Sequence, residues 1–255
     1  SGLLVEGFSF QTGAGGSSLA AAAAVMQRML EGGIQGSFAS GGITGFHVQM
    51  LEAGLFRSLL DVQCFDLAAV ESFRRNPAHQ AMSASMYANP ANRGPVVNML
   101  DAVVLGAAEI DLDFNVNVTT KANGVIMGGS GGHADTAAGS KLTIITTRLT
   151  AAGYPKIVDR VGTRTTPGET VDVLVTEVGV AVNPARSDIA DRLREAGLPT
   201  VEIAELKAQA DLQATRKRPA SADVDRRTIG VSEYRDGTVT DLIRATGTEP
   251  GSHGD

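Results

Sequence analysis

The chain reads as an α/β protein, a sheet flanked by helices with a C-terminal β-hairpin appended, and three observations predict this. Short apolar, β-branched runs alternate with stretches of strong helix formers, and small-residue turns separate them, as in a sheet covered by helices. A short strand in SFQTGAGGSS, residues 9–18, runs through a glycine loop into a helix start. The 255 residues are 43% hydrophobic and 20% charged, enough apolar material for a buried core.

In chain order, Ser17 or Ser18 caps a helix that carries LAAAAVMQRML through Leu30 and ends at Gly32-Gly33. GSFAS is a short strand, GFHVQMLEAG a helix, and MYANPANRG, residues 86–94, a loop. VVLGAAEI is a buried strand by its branched residues. DFNVNVTT alternates apolar and polar positions, which predicts a half-exposed strand with Asn115, Asn117 and Thr119 on one face. The glycine-dense run from residue 124 passes directly into the strand LTIITT. PKIVDRV is a further strand, and TVDVLVTEVGVAVNP holds two around a turn at Glu177 to Gly179. Asn183 caps, and Pro184 opens, a helix that stops at Gly197. A polar helix covers 203–214, RPASADVDRR is a linker, and VSEYRDGTVTDLIRA is a hairpin turning at Asp236-Gly237. As domains, residues 1–215 form the α/β unit, 216–245 the linker and a hairpin packed on it, and 246–255 a frayed tail.

Composition excludes several classes. The apolar stretches fall short of the roughly 20 residues a bilayer needs, and no basic-then-apolar leader opens the chain. A soluble cytoplasmic protein is expected, without a membrane partner. The net charge of −6 speaks against a nucleic-acid partner, and RKR at 216–218 reads as a solvated connector. The lone Cys64 cannot form an internal disulfide and reads as a buried structural thiol. The four histidines are scattered with no second His or Cys at ligand spacing, so no metal is expected. Ser1-Gly2 is not a natural translation start, so a piece of a longer chain is expected.

Chemistry concentrates in two glycine-rich segments. Gly128, Gly129, Gly131 and Gly132 allow backbone N–H groups to converge on an anion or a developing oxyanion. His133 either bonds a carboxylate or acyl oxygen or stabilises the loop, Asp135 either braces the loop or acts in catalysis, and Lys141 either meets an anion or is solvated. The other segment carries Gly13, Gly15 and Gly16 at a helix start, which suits a carboxylate or phosphate. It is not a Walker loop, because Gly-Lys-Ser/Thr is absent, and it does not complete G-x-G-x-x-G. Glu71 either pairs with Arg74 or Arg75 one turn away or leaves them to face an anion. Arg93, in the 86–94 loop, and Asn115 and Asn117 complete the candidate substrate-binding set.

The pattern G-x-G-G-x-x-D at Gly129 to Asp135, with Ala138, Gly139 and Lys141 before LTIITT, resembles the glycine loop of the family I coenzyme A transferases. Within that superfamily the likeness is to the α subunits of bacterial citrate lyases. It continues through FQTGAGGSSLAAAA, GSFASGGITG, QCFDLAAVESFRRNP, SASMYANPANRG, VVLGAAEIDLDFNVNV and VDRVGTRTTPGETVDVLVTEVGVAVNP. The resemblance implies a transferase-like sheet of the NagB/RpiA type and a chain corresponding to the second of two similar halves, with an amino-terminal half missing. It implies exchange of acetyl for citryl on coenzyme A or a CoA-derived carrier thioester, releasing acetate, with no metal. The implied partners are a lyase β subunit and a γ acyl-carrier subunit, in an oligomer.

Family I transferases that work covalently place a nucleophilic Glu in the strand-to-loop segment, where this chain has Gln11. An amide is a poor nucleophile and a good donor. The resemblance therefore implies direct attack by a citrate carboxylate, through a mixed anhydride, with Gln11, Gly131, Gly132 and His133 supplying orientation and oxyanion binding. Gln11→Ala and Gly132→Val should each stop transfer and leave the fold largely intact. Two alternatives stand beside this: a Glu-nucleophile transferase using Glu6, Glu71 or Glu109 on a simpler carboxylic acid, and a non-catalytic scaffold half.

Overall fold

The computed structural model describes residues 2–13, 15–217 and 227–246. Its elements are β1 (Phe10–Thr12), α1 (Gly16–Gly32), β2 (Gly36–Ile43), α2 (Gly45–Glu52), β3 (Phe56–Cys64), α3 (Leu67–Arg75), β4 (His79–Ala81) and α4 (Ala84–Ala88). After a 3-10 turn at Val96–Met99 come β5 (Ala102–Gly106), β6 (Glu109–Asp111), β7 (Val116–Asn117), α5 (His133–Gly139) and β8 (Thr143–Thr146). The chain continues through β9 (Thr150–Ala151), β10 (Tyr154–Pro155), β11 (Ile157–Val158), β12 (Val173–Val175), β13 (Val180–Val182), α6 (Ser187–Glu195) and α7 (Ile203–Gln213). The hairpin β14 (Thr228–Glu233) and β15 (Val239–Arg244) follows.

The α/β prediction holds. One eight-stranded sheet, ordered β13-β12-β8-β5-β1-β2-β3-β4, is parallel except for the antiparallel edge strand β13. Alternation along its strands sorts side chains to two faces. Phe10, Ala39 and Leu59 pack with Met29 of α1 and Val48, Met50 and Leu51 of α2. On the opposite face Leu60 and Phe38 meet Tyr87, Ala88, Val96 and Val97, while Val103, Leu105, Ile145 and Leu174 pack against Ile110, Phe114, Leu206 and Ala210. No described helix is long and apolar enough to cross a membrane.

Several boundaries differ from the sequence reading, each for a local reason. Ser17 and Ser18 lie inside α1, whose N-cap is Gly15 with no side-chain cap, while Gly33 closes the helix at φ +60. VVLGAAEI is two strands in two sheets, β5 and β6. DFNVNVTT is a strand only at Val116–Asn117, with a single further bridge from Thr120 to Ile126, because Asp111 closes a turn ahead of it: its Oδ1 accepts from Asp113 N and Asn115 N and places buried Phe114 at φ +62. The run after Gly132 is not a loop running into a strand, since α5 intervenes. PKIVDRV pairs only at Tyr154–Pro155 and Ile157–Val158. Residues 84–88 of the 83–94 stretch are helical, with Ser83 Oγ accepting from Met86 N. Helix α6 begins at Ser187, since Asn183 Oδ1 is spent on a turn to Ala185 N. The linker and tail assignments fall almost wholly outside the described residues.

Candidate functional site

The chain leaves β1 toward β2, β3 and β4 on one side and later returns to β5, β8 and β12 on the other. Strand order thus reverses between β1 and β5, and the crevice beyond the carboxyl ends of two such strands is where doubly wound sheets take ligands. Gly13 N donates to Val104 O at 2.8 Å, laying the first glycine loop along β5. Helix α1 then starts without a capping side chain or an acidic residue in its first turn, so its first N–H groups and its dipole meet no competing protein anion. A Cβ at Gly15 or Gly16 would touch nothing within 4 Å, so there is room beside this backbone. Thr146 Oγ1, at the end of β8, donates to Ser17 Oγ at 3.1 Å across the crevice.

The second glycine segment reaches the same crevice through His133. Its Nε2–H donates to Gly106 O at the end of β5 (2.9 Å), and its Nδ1 accepts from Thr166 Oγ1 (2.7 Å). A carbonyl only accepts, which assigns the proton to Nε2. Burial pushes the pKa of His133 down to about 4, against the opposing bond to Gly106. The neutral ring therefore clamps the start of α5 to β5 and to Thr166, with both nitrogens engaged by the protein. The preceding Gly128, Gly129 and Gly131 are exposed, with open space where a Cβ would stand.

Gln11 is buried, at 5% exposure, and its amide is held from both sides. Ser40 Oγ donates to Oε1 at 3.1 Å, and Nε2 donates to the Tyr87 hydroxyl oxygen at 2.7 Å. Gly41, at φ +99, makes this possible: a Cβ there would stand 2.7 Å from Gln11 Cδ. Tyr87 in turn lies against Gly132, where a Cβ would stand 2.7 Å from the phenolic oxygen. Burial pushes the Tyr87 hydroxyl up to about 12, so it keeps its proton while accepting from Gln11. Gln11, Tyr87 and Gly132 are thus contiguous, joining β1, α4 and the start of α5. A Cβ from Gly132→Val would consequently meet the Tyr87 ring at 2.5 Å and displace it, so this substitution would disturb the Gln11 contact as well as the backbone.

The other candidate residues disperse. Asp135 lies 3.5 Å from Arg235 Nε, and Arg235 Nη2 donates to Ala88 O at 3.2 Å, so the hairpin bridges α4 and α5. Burial raises the Asp135 pKa, opposed by the charge of Arg235. Asn115 is engaged with the Asp111 carboxylate and Gly168 N, and Asn117 with Glu109 and Thr120, inside the small β11-β6-β7 sheet. Arg93 is exposed beyond α4. Lys141 pairs with Asp101 at 2.7 Å. Among the alternative nucleophiles, Glu6 pairs with Arg57 at 2.7 Å, Glu71 with both Arg74 and Arg75, and buried Glu109 accepts from Asn117 and from Gly162 N. Sequence reasoning did not single out Ser40, Tyr87 by itself, Thr166 or Arg235. Tyr87 alone gave a signal, as the aromatic residue of the 86–94 stretch.

The chain matches the family described as citrate lyase, alpha subunit (CitF), over residues 1–246. It is 50% identical to the citrate lyase alpha chain of Klebsiella pneumoniae over 244 residues, covering 96% of this chain and 48% of that protein. The chain therefore spans about half the length of the curated relatives it matches. Among solved structures, an alpha subunit of citrate lyase in complex with citrate from Streptococcus mutans superposes with a TM-score of 0.91 at 41% identity, over 97% of this chain and 48% of that one. RipA from Yersinia pestis shares the fold, with a TM-score of 0.56 at 19% identity over 83% of this chain and 49% of that one.

Proposed function

The chain belongs to the citrate lyase alpha subunit family, and from that premise we propose that its crevice between β1 and β5 binds a citrate carboxylate and an acyl thioester and promotes exchange between them. The observation that carries this reading is the fixed amide of Gln11. It stands on a central strand with its orientation set by Ser40 and Tyr87, in the strand-to-loop segment that the resemblance pairs with the nucleophile of covalent transferases. One of its N–H bonds is used by Tyr87, and the other is the donor offered to substrate. The solved relative's complex with citrate supports a tricarboxylate as the acceptor.

The residues fit such substrates. The uncapped start of α1 at Gly15 and Gly16 supplies N–H donors to a carboxylate. The open backbone at Gly129 and Gly131 supplies donors to the oxygen that gains charge as a thioester carbonyl is attacked. The coenzyme A or carrier thioester supplies the leaving thiolate, the citrate carboxylate supplies the nucleophile, and the protein holds the two in line. His133 positions the loop instead of moving a proton, since both its nitrogens are engaged.

The acyl carrier, the lyase subunit and the other half of the relatives' length belong to the same proposal. The test is a transfer assay of the full-length subunit with acetyl-CoA and citrate. Gln11→Ala is expected to lower the rate of citryl-CoA formation at least ~100-fold, a size typical for loss of one preorganised donor. Wild-type rates in Gln11→Ala would remove the amide from the mechanism.

A further inference from the structure

On the sheet face opposite Gln11, beneath α2 and α3, the fold gathers three groups that their sequence spacing does not announce. Asp61 and Cys64 come from β3 and His79 from the neighbouring strand β4, and one ligand-type atom of each lies within 4.8 Å of the others. Asp61 Oδ2 accepts from Cys64 Sγ at 2.7 Å and from His79 Nε2 at 3.1 Å. Asp61 and His79 are buried at 5% and 3% exposure. We propose that Asp61, Cys64 and His79 form a site for a divalent transition metal ion of the zinc type, distinct from the transferase crevice.

Three features point to an ion. The donor set is one thiolate sulfur, one imidazole nitrogen and one carboxylate oxygen, the soft-to-borderline mixture that zinc and cobalt prefer and that magnesium and calcium do not. Bonds of about 2.0–2.3 Å in a tetrahedron put ligand atoms roughly 3.5 Å apart, so a cluster already within 4.8 Å needs only small shifts. The second feature is an unmet acceptor. Asp61 Oδ1 is buried without a hydrogen-bond partner, although a lone carboxylate oxygen out of water is costly. An ion held by this carboxylate satisfies it.

The third feature is the shell behind His79. Its Nδ1 lies 3.0 Å from Ser72 Oγ, and a hydroxyl can accept a proton as readily as donate one. The ring can therefore turn its lone pair to an ion at Nε2 while Nδ1–H donates to Ser72, as metal-bound imidazoles commonly do. Ser72 also lines a cavity of about 610 Å³ between α2 and α3. His47, buried beside this group, is outside the ligand set: its Nδ1 accepts from Thr44 N, which leaves the proton on Nε2. Without an ion the Cys64 thiol carries the proton that it donates to Asp61 Oδ2. Metal binding therefore breaks the S–H bond, forms a metal–sulfur bond and releases one proton to solvent.

The test uses the full chain, stripped with a chelator, reduced, and titrated with Co²⁺ and then Zn²⁺. The expected result is one equivalent of Co²⁺ with a sulfur-to-cobalt charge-transfer band, displacement by Zn²⁺, and release of about one proton per ion. Cys64→Ser keeps a hydroxyl for Asp61 and should abolish the band and weaken binding at least ~10-fold, with the melting temperature of the metal-free variant close to wild type. His79→Gln should weaken binding similarly. A titration without the band, or equal affinity in Cys64→Ser, would overturn the proposal. So would no binding at micromolar Co²⁺ by a chain whose circular dichroism shows it folded.

Discussion

Tyr87→Phe isolates the contact on which the orientation of Gln11 depends. The ring and its packing against Gly132 are retained, while the buried Nε2–H of Gln11 loses its acceptor. A buried donor left unmet costs about 1–3 kcal/mol, so urea unfolding should show a loss of that size, and the transfer assay should show kcat falling while the apparent KM for citrate changes less. His133 supplies a pH test. Its pKa falls from the usual imidazole value near 6.5 to about 4 on folding, as burial also does for His47. Above about 6.5 both folded and unfolded chains hold neutral rings, and as pH drops toward 4 only the unfolded chain takes up these protons. Stability should thus decline between about pH 6.5 and 4, with raised Asp111 and Asp135 acting in the opposite sense. Urea midpoints at pH 7, 5.5 and 4.5 check this, and a flat profile in that window would show the rings are not held neutral. The sequence carried the identity of Gln11 and His133 as candidates but not their partners, because Ser40, Tyr87 and Thr166 lie 29, 76 and 33 residues away, respectively.

At the scale of elements, caps decide where helices meet the sheet. Asp66 accepts from Ala69 N at 2.8 Å as the N-cap of α3 and from Gly45 N at 2.7 Å at the start of α2. Burial opposes its ionisation, yet N–H bonds from Gly45, Ala69 and Ala68 together hold its carboxyl below the usual range. Asp66→Ala should destabilise the chain by about 1–2 kcal/mol, the usual effect of losing a cap, as read by thermal or urea unfolding, while Asp66→Asn should retain much of the difference. Gly33 and Gly197 mark helix ends that were legible in the sequence because a left-handed residue there is a local requirement. Period-two alternation was misleading at 113–120: the turn that ends pairing there is made by Asp111 with Asn115 and Val161, a tertiary arrangement that no local pattern encodes.

For the whole molecule, strand order is what brings two separate glycine-rich segments together at the carboxyl ends of β1 and β5. Each segment was visible in the sequence, and the register of β1 against β5 brings Gly13, Gly106 and His133 together. Order within the sheet depends on contacts far apart along the chain, so the meeting itself was not readable. The hairpin was readable from Asp236-Gly237, but its attachment was not: Arg235 reaches Asp135 and Ala88, and Asp241 accepts from Arg164 N at 2.9 Å. Arg235→Ala should therefore speed hydrogen exchange in the segment 128–139 relative to β2 and β3, and unchanged exchange would show that the hairpin does not brace this segment.

The central claim is that Gln11 orients a direct exchange with no acyl-enzyme or enzyme thioester. Intact-protein mass spectrometry of the full-length subunit during turnover of acetyl-CoA and citrate tests it most directly. Citryl-CoA forming while the protein mass stays unmodified is the predicted result. A coenzyme A adduct mapped to a glutamate side chain, borohydride-trappable and formed at the rate of turnover, would contradict it.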